Sequence, residues 1–288
     1  MLDAIAQVPW FLPTCLLLLG LLVGSFLNVV IYRLPLMLEK SWRHDCCELL
    51  EIEQEADTTT FNLATPNSHC PACQTEIRAW QNVPVISYLL LRGKCRHCDA
   101  PISARYPVIE LITGLMTLAL AWFFAPSVAL LGAILLTWAL IALTMIDIDH
   151  QLLPDNITLP LLWLGLAFNT LGTYVPLQDA VLGAMAGYLV LWSIYWAFKL
   201  VTGKEGMGYG DFKLLAALGA WMGWQALPLI ILLSSLVGAV FGIALMLVKS
   251  RGREVPIPFG PYLAMAGWIA LLWGDTLVAT YLGITAGP

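Results

Sequence analysis

The sequence predicts an all-α polytopic membrane protein with about eight transmembrane helices and a small zinc-binding cytoplasmic domain between the first two helices. Three observations predict this fold class. First, 59% of the 288 residues are hydrophobic and only 11% are charged, against roughly 25% charged residues in an ordinary soluble domain. Second, a topology with eight spans places all lysines and arginines on the same side of the membrane. Third, four cysteines stand in two Cys-x2-Cys pairs within one polar segment.

Uncharged runs that approach the ~20 residues of a spanning helix give the predicted spans. The first, Leu12–Ile31, has no basic residue before it, so it lacks the charged region of a signal peptide and is interpreted as a retained span. The run Leu214–Val248 has 35 residues. As one helix it would be roughly 52 Å long, against a hydrocarbon core of about 30 Å, so we predict a turn at Trp221–Pro228. The other predicted spans are Tyr106–Phe124, Val128–Ile146, Ile157–Tyr174, Ala180–Phe198 and about Phe259–Ala279.

The distribution of basic residues supports eight spans. Eight of the fourteen lysines and arginines lie between Arg33 and Arg105. With eight spans and the N-terminus outside, all fourteen fall on one side, which the positive-inside rule makes cytoplasmic. Seven spans would break this pattern. The six remaining basic residues are Lys199, Lys204, Lys213, Lys249, Arg251 and Arg253, and the opposite loops carry acids such as Asp3, Asp179 and Asp275.

The polar insert between the first two spans contains a predicted metal centre. Its two Cys-x2-Cys pairs are separated by 21 residues. Four thiolates satisfy the tetrahedral coordination of a structural Zn²⁺ and leave no position open for catalysis. Disulfides are the alternative, but a cytoplasmic location keeps thiols reduced. The predicted zinc ligands are Cys70, Cys73, Cys95 and Cys98.

An acidic segment in the same insert has two interpretations. Residues Asp45 to Asp57 carry six acids and no base. The segment could be an electrostatic platform for a basic partner, or it could be the solvated face of a short helix. The sequence does not assign it a role.

Carboxylates at the edges of two predicted spans are the candidate catalytic residues, because ionisable groups in or beside spans are rare and often functional. Asp211 follows a glycine-rich stretch at the cytoplasmic start of the sixth span, and Asp147 and Asp149 end the third span on the same face. Two carboxylates that share a proton are the machinery of aspartic proteolysis. Glycines at 206, 208 and 210 are expected to let the backbone approach a substrate and adopt positive φ.

The partner of Asp211 stays open between two residues. Asp147 and Asp149 point to nearly opposite sides of a helix, so only one faces the partner. Asp147 follows the apolar run directly and lies deeper, whereas Asp149 is the more exposed candidate. Asp155 follows Pro154 and is expected to cap the fourth span, a role shared with Asn156. Glu110, inside the second span, is expected to pack against an arginine or a backbone group.

At these residues the chain resembles the type IV prepilin leader peptidases, bifunctional membrane enzymes of pilus and type II secretion systems. "GLLVGSFLNVVIYRLP" (Gly20–Pro35) is similar to the N-terminal signature of that family. "CPAC", "NVPVISYLLLRGKCRHC" and "RYPVIE" resemble its cytoplasmic domain. "DIDHQLLPD" and "GMGYGDFKLL" resemble its two aspartyl motifs, the second being the GxGD form.

The resemblance implies an enzyme that cleaves the basic leader of type IV prepilins and pseudopilins after a glycine. The same enzyme would then N-methylate the new N-terminal residue, usually phenylalanine, with S-adenosylmethionine. It implies Asp147 and Asp211 as the catalytic pair and the four paired cysteines as zinc ligands. The implied location is the bacterial inner membrane, with lipid and prepilins but no nucleic acid as partners. The resemblance does not indicate which residues bind S-adenosylmethionine.

The predicted organisation has three parts: a first transmembrane helix (1–32), a cytoplasmic zinc-binding domain that contributes to methyl transfer (33–105), and a seven-helix peptidase domain (106–288). Three other functions explain part of the sequence. A proton-coupled transporter would use membrane acids as a relay. A metal-dependent transferase would hold Mg²⁺ on Asp147, Asp149 and Asp211. A non-enzymatic assembly subunit would use only the zinc domain, and substitution of the aspartates would leave its function intact.

Overall fold

The computed structural model describes residues 10–52, 60–249 and 258–281. These residues are mostly helical, and the only β-pairing among them is two isolated bridges. Asp3, Arg251, Arg253 and the second half of the acidic segment lie outside the described residues. The α-helices of the described ranges are α1 (Phe11–Leu49), α2 (Ile86–Leu90), α3 (Arg105–Ala119), α4 (Val128–His150), α5 (Asp155–Thr170), α6 (Leu177–Thr202), α7 (Tyr209–Met222), α8 (Leu227–Lys249) and α9 (Gly260–Tyr281).

The chain divides into two compact units, residues 1–122 and 123–288. In the first unit, α1 and α3 pack closely because small residues face each other. A Cβ on Gly20 would lie 2.7 Å from the Thr117 hydroxyl, and one on Gly24 would lie 2.7 Å from the Glu110 Cα. The two helices run antiparallel, because the contacts move toward the start of α3 as they move toward the end of α1. The buried Asn28 side chain, which donates to the Tyr106 carbonyl at 3.2 Å, ties the same pair together.

Helix α1 continues well past Ile31, the predicted end of the first span, and ends at Leu49. The apolar run therefore sets where the span ends but not where the helix ends. Beyond it, the buried Arg33 guanidinium donates to the backbone carbonyls of Asn62 (2.9 Å) and Pro66 (2.7 Å). This attaches the later part of the insert to α1. The predicted boundaries at residues 32 and 105 remain predictions.

Helix α7 forms the core of the second unit. Apart from Lys213, every residue from Asp211 to Trp221 is buried. Helix α6 crosses α7 at Gly183 and Gly219, where any Cβ would collide with the opposite backbone. On the α5 side, the Trp221 indole N–H donates to the Leu161 carbonyl at 2.8 Å.

The predicted turn within Leu214–Val248 is confirmed. Helix α7 ends at Met222, and its C-cap is Gly223, whose φ of +79° is a conformation that favours glycine. A 3₁₀ turn at Trp224–Ala226 then leads into α8. The carboxylate of Asp179 accepts hydrogen bonds from the Trp224 indole (3.2 Å) and the Gln225 amide (3.1 Å) and so holds this turn.

Five helices among the described residues are long and apolar enough to cross a membrane: α1, α4, α6, the stretch Trp224–Ala244 and α9. The chain is therefore a multi-pass membrane protein. The other three predicted spans correspond to α3, α5 and α7, which have only 15, 16 and 14 residues. At 1.5 Å per residue these helices are about 21–24 Å long, so the count of eight spans stays a prediction.

Candidate active site and metal centre

Asp147 lies in the last turn of α4, three residues before the helix ends at His150. Its side chain is 5% exposed. Its Oδ2 accepts a hydrogen bond from the Gly260 backbone N–H at 3.0 Å. Gly260 is the first residue of α9, so this carboxylate lies at the positive end of that helix dipole.

Asp211 lies in the first turn of α7 and is 6% exposed. Its backbone N–H bonds to the Gly208 carbonyl (3.3 Å), and its carboxylate interacts with the Gly208 backbone. Asp211 thus supports the start of α7, although Gly208 is the N-cap. No side-chain hydrogen bond caps this helix, so capping does not explain the buried Asp211 carboxylate. Asp211 Oδ1 is buried without a hydrogen-bond partner among the described residues.

The structure brings Asp147 and Asp211 together from two separate helices. The Asp147 carboxylate lies close enough to Asp211 for its charge to act on the Asp211 carboxyl group. Asp149, the alternative partner, is exposed, as the opposite orientation of residues two apart predicts. His150 beside it is also exposed.

Leu153 packs between the segments that carry the site. A Cβ on Gly210 would lie 2.7 Å from the Leu153 Cβ, and one on Gly260 would lie 3.0 Å from a Leu153 methyl group. The expectation of positive φ at residues 206, 208 and 210 is wrong, because none of them is among the positive-φ residues. Close packing explains Gly210 instead, and the positive φ of this loop belongs to Gly203 at the end of α6.

The expected capping role of Asp155 is also wrong. Pro154 occupies the N-cap of α5, and no side chain caps this helix. The Asp155 carboxylate instead accepts from the Lys213 ammonium group, with both oxygens at 2.7 Å. This ion pair joins the start of α5 to the first turns of α7, two residues from Asp211.

A second ion pair stabilises the glycine-rich loop on the other side. The Lys199 ammonium group donates to Glu205 at 2.8 Å and to the Tyr195 hydroxyl at 3.2 Å. The hydrogen bond from Lys199 and its positive charge lower the pKa of Glu205. The loop before Asp211 is therefore anchored to the end of α6.

The paired cysteines form two similar turns in the first unit. In one, the Cys70 N–H bonds to the Thr75 carbonyl (2.9 Å), and in the other, the Cys95 N–H bonds to the Ala100 carbonyl (2.8 Å). Each turn has a non-glycine residue at positive φ, Gln74 in the first and Asp99 in the second. Both turns therefore have the same backbone design.

The two turns bring all four sulfur atoms within 4.8 Å of one another. The Cys70 and Cys98 sulfurs are 3.8 Å apart, the edge of a tetrahedron whose metal–sulfur bonds are about 2.3 Å. The Thr75 hydroxyl, 3.3 Å from the Cys73 sulfur, and the Thr75 backbone N–H lower the pKa of Cys73 to about 6. The Ala100 backbone lowers the pKa of Cys98, but desolvation and the other three cysteines together raise it above its usual value. The fit to Zn²⁺ therefore rests on the spacing of the four sulfurs, which a metal binds as thiolates.

Comparison with known proteins places these features in a family. A model described as the bacterial peptidase A24 N-terminal domain matches residues 18–124, and a model described as the type IV leader peptidase family matches residues 134–243. A prepilin leader peptidase/N-methyltransferase of Aeromonas salmonicida is 58% identical over 98% of both chains. The chain belongs to the type IV leader peptidase family. Proteins of the same name from Aeromonas hydrophila (59%, 98% of both chains) and Pseudomonas aeruginosa (57%, 98% of this chain and 97% of that one) agree. No solved structure matches.

Family membership confirms the resemblance deduced from the motifs, and the two family models divide the chain close to the boundary between its two units. Sequence reasoning missed Gly260, whose N–H bonds to Asp147. A signal for it was present, because Gly260 and Pro261 stand where the last apolar run begins and proline is common in the first turn of a helix.

Proposed function

We propose that this protein removes the basic leader peptide from type IV prepilins and pseudopilins and N-methylates the new N-terminal residue, usually phenylalanine. The full-length relatives carry the name prepilin leader peptidase/N-methyltransferase. The proposed location is the bacterial inner membrane, with the N-terminus periplasmic and the zinc domain cytoplasmic. The proposed partners are prepilins and lipid, without nucleic acid.

The observation that carries the proposal is the pair of buried carboxylates, Asp147 and Asp211, at the ends of two helices. A prepilin has a basic leader followed by an apolar helix, so its cleavage site lies at the cytoplasmic membrane surface. Under the proposed eight-span topology, both aspartates face that surface. We therefore assign leader cleavage to this pair.

The hydrogen bonds of the two carboxylates suggest different roles. Asp147 accepts the Gly260 N–H and lies at the positive end of α9, which suits an ionised group. It would take a proton from water as the water oxygen attacks the scissile carbonyl carbon. Asp211 Oδ1 has a free position for a proton, which it would donate to the carbonyl oxygen. Collapse of the tetrahedral intermediate breaks the C–N bond as Asp147 gives its proton to the leaving amine. Asp211 takes a proton back from a hydroxyl of the intermediate, so the carboxylic acid forms and both aspartates return to their starting states.

The metal and the methyl donor have separate proposed roles. Cys70, Cys73, Cys95 and Cys98 would hold a structural zinc ion, since four thiolates leave no coordination site for substrate. S-adenosylmethionine supplies an electrophilic methyl group for the amine that cleavage releases. We place the methyl-transfer contribution in the zinc-binding part of the chain and assign no individual residue to the donor.

The test is cleavage of a purified prepilin by the wild type and by Asp147→Asn, Asp149→Asn and Asp211→Asn. Mass spectrometry would follow leader removal and methylation separately, with a pre-cleaved pilin as the methylation substrate. We expect Asp147→Asn and Asp211→Asn to lose cleavage and retain methylation, and Asp149→Asn to retain both. Full cleavage by either of the first two variants would refute the two-aspartate mechanism.

A further inference from the structure

The segment before the second cysteine pair exposes large apolar side chains. Within the short helix α2, Ile86 is 57% exposed, Leu89 is 67% exposed and Leu90 is 75% exposed. The hydrophobic residues of a water-soluble zinc domain would be expected to face its core. Here three of them point away from the chain.

The position of α2 along the membrane helices explains this exposure. The Val85 N–H, at the start of α2, donates to the buried Glu110 carboxylate at 2.8 Å. Glu110 lies on α3 directly against Gly24 of α1. The start of α2 is therefore level with Gly24.

Gly24 lies deep in the uncharged part of α1. Residues 11–32 carry no charged side chain, and the first charge is on Arg33, nine residues after Gly24. Nine residues of α-helix span about 14 Å. The start of α2 thus lies well on the apolar side of Arg33, beside the uncharged part of a helix that is long and apolar enough to cross a membrane.

The backbone of this segment is suited to a medium without water. Within the hydrocarbon region each N–H and C=O group needs an internal partner. Local bonds provide many of these partners, including Ser87 N–H to Val83 O, Leu89 N–H to Val85 O, Leu91 N–H to Ser87 O, Arg92 N–H to Leu89 O, Gly93 N–H to Tyr88 O and Lys94 N–H to Leu91 O, at 2.9 to 3.1 Å. A compact turn of this kind can enter the edge of a bilayer.

Basic residues follow the apolar ones directly. Arg92, Lys94 and Arg96 are exposed, and residues 77–104 contain four basic side chains against a single acid, Asp99. The Arg96 guanidinium stacks 4.9 Å from the ring of Trp80, a residue type common at membrane interfaces. The charge of this rim is complementary to anionic lipid headgroups.

We propose that residues 83–91 form a membrane-inserted loop of the zinc-binding unit. Ile86, Leu89 and Leu90 contact acyl chains of the cytoplasmic leaflet. Arg92, Lys94 and Arg96 bind the phosphates of anionic lipids above them. The Ile102 N–H bonds to the Gly93 carbonyl (2.8 Å), and Lys94 pairs with Pro101, so the loop is continuous with the second cysteine turn. The lipid contact therefore holds that turn at the membrane surface.

The test is fluorescence quenching of a bimane label on Leu90→Cys in the full chain, reconstituted in nanodiscs. Cys15, Cys46 and Cys47 are replaced by serine, and the zinc cysteines are retained, with zinc content as the check on folding. The quenchers are phosphatidylcholine brominated on its acyl chains and aqueous iodide. The matched controls are Leu22→Cys, in the apolar part of α1 (61% exposed), and Leu49→Cys, at the end of α1 (83% exposed).

We expect brominated lipid to quench the Leu90 label at least half as strongly as the Leu22 label, with little quenching by iodide. Iodide quenching equal to that of the Leu49 label would overturn the proposal, because the loop would lie in water. Quenching by neither agent would also overturn it and would show that protein covers the patch.

A second arm tests the headgroup contact with Arg92→Gln/Lys94→Gln in the Leu90→Cys background. Two kinds of nanodisc, both with brominated phosphatidylcholine as the quencher, are compared. One kind also contains phosphatidylglycerol, and the other contains phosphatidylcholine alone. We expect phosphatidylglycerol to increase quenching in the parent and to have little effect in the double variant. Equal quenching of the parent in both lipids would refute the anionic-lipid part of the proposal.

Discussion

Gly260 is the residue on which the geometry of Asp147 depends most directly. Its N–H is the donor to Asp147 Oδ2, and a Cβ at this position would lie 2.6 Å from the same oxygen. A side chain here must therefore displace either the carboxylate or the start of α9. Both effects would change the distance between Asp147, the proposed general base, and the attacking water.

We expect Gly260→Ala to reduce leader cleavage by about 100-fold, the size of loss that a displacement of about 1 Å can cause. Methylation of a pre-cleaved pilin should be unchanged. Gly274→Ala in the same helix is the matched control, because its nearest neighbour would be 4.0 Å away. Initial rates of cleavage measure both variants. Cleavage by Gly260→Ala at the wild-type rate would show that Gly260 does not position Asp147 for catalysis.

At single residues, the sequence predicted the burial and orientation of a side chain better than the residues that it contacts. The apolar run before Asp147 indicated its burial, and the two-residue spacing indicated that Asp149 faces elsewhere. The partner of Asp155 was not predictable, because Lys213 lies 58 positions away and only the packing of α5 against α7 brings the two together. The same holds for Gly260, which is 113 positions from Asp147.

At the level of elements, α5 and α7 are joined by a buried amide. Asn169 is 2% exposed, and its amide N–H groups donate to the carbonyls of Ala220 (2.9 Å) and Trp221 (3.1 Å). Its side-chain oxygen accepts from the Tyr174 (3.0 Å) and Val175 (3.1 Å) N–H groups. One side chain thus satisfies backbone groups at the end of α7 and in the turn after α5.

Asn169→Ala should destabilise the second unit by about 2 kcal/mol or more, because several buried backbone groups lose their partner at 1–3 kcal/mol each. The thermal unfolding midpoint in detergent should fall by several degrees. Thr170→Ala, at an exposed neighbouring position, is the control and should leave the midpoint within error. An unchanged midpoint for Asn169→Ala would show that water or lipid replaces these bonds.

Apolar runs predicted which elements exist, but not all of their lengths. The turn at Gly223 followed from chain length alone, since 35 residues cannot form one span. The extension of α1 to Leu49 was not predictable from hydropathy, because residues 33–49 carry six charged side chains and no apolar run long enough to span a membrane. The short length of α7 follows from its surroundings: it is buried among other helices and need not match the bilayer.

At the scale of the whole molecule, the chain consists of two compact units, and the cysteine cluster belongs entirely to the first. The sequence predicted this cluster from spacing alone, because two Cys-x2-Cys turns leave few other ways to use four thiols. Structural zinc in small domains contributes on the order of 10 kcal/mol to folding. Its loss should therefore affect the first unit before the second.

We expect the wild type to bind one zinc ion per chain and Cys95→Ser to lose it, as measured by elemental analysis of purified protein. Limited proteolysis of Cys95→Ser should cut within residues 60–104, while a fragment that begins near Phe123 persists, because the second unit has its own core around Trp221. Cys46→Ser, outside the cluster, is the control and should retain zinc. Full zinc occupancy in Cys95→Ser would refute the four-thiolate site. Degradation of the whole chain would instead show that the second unit requires the first for its stability.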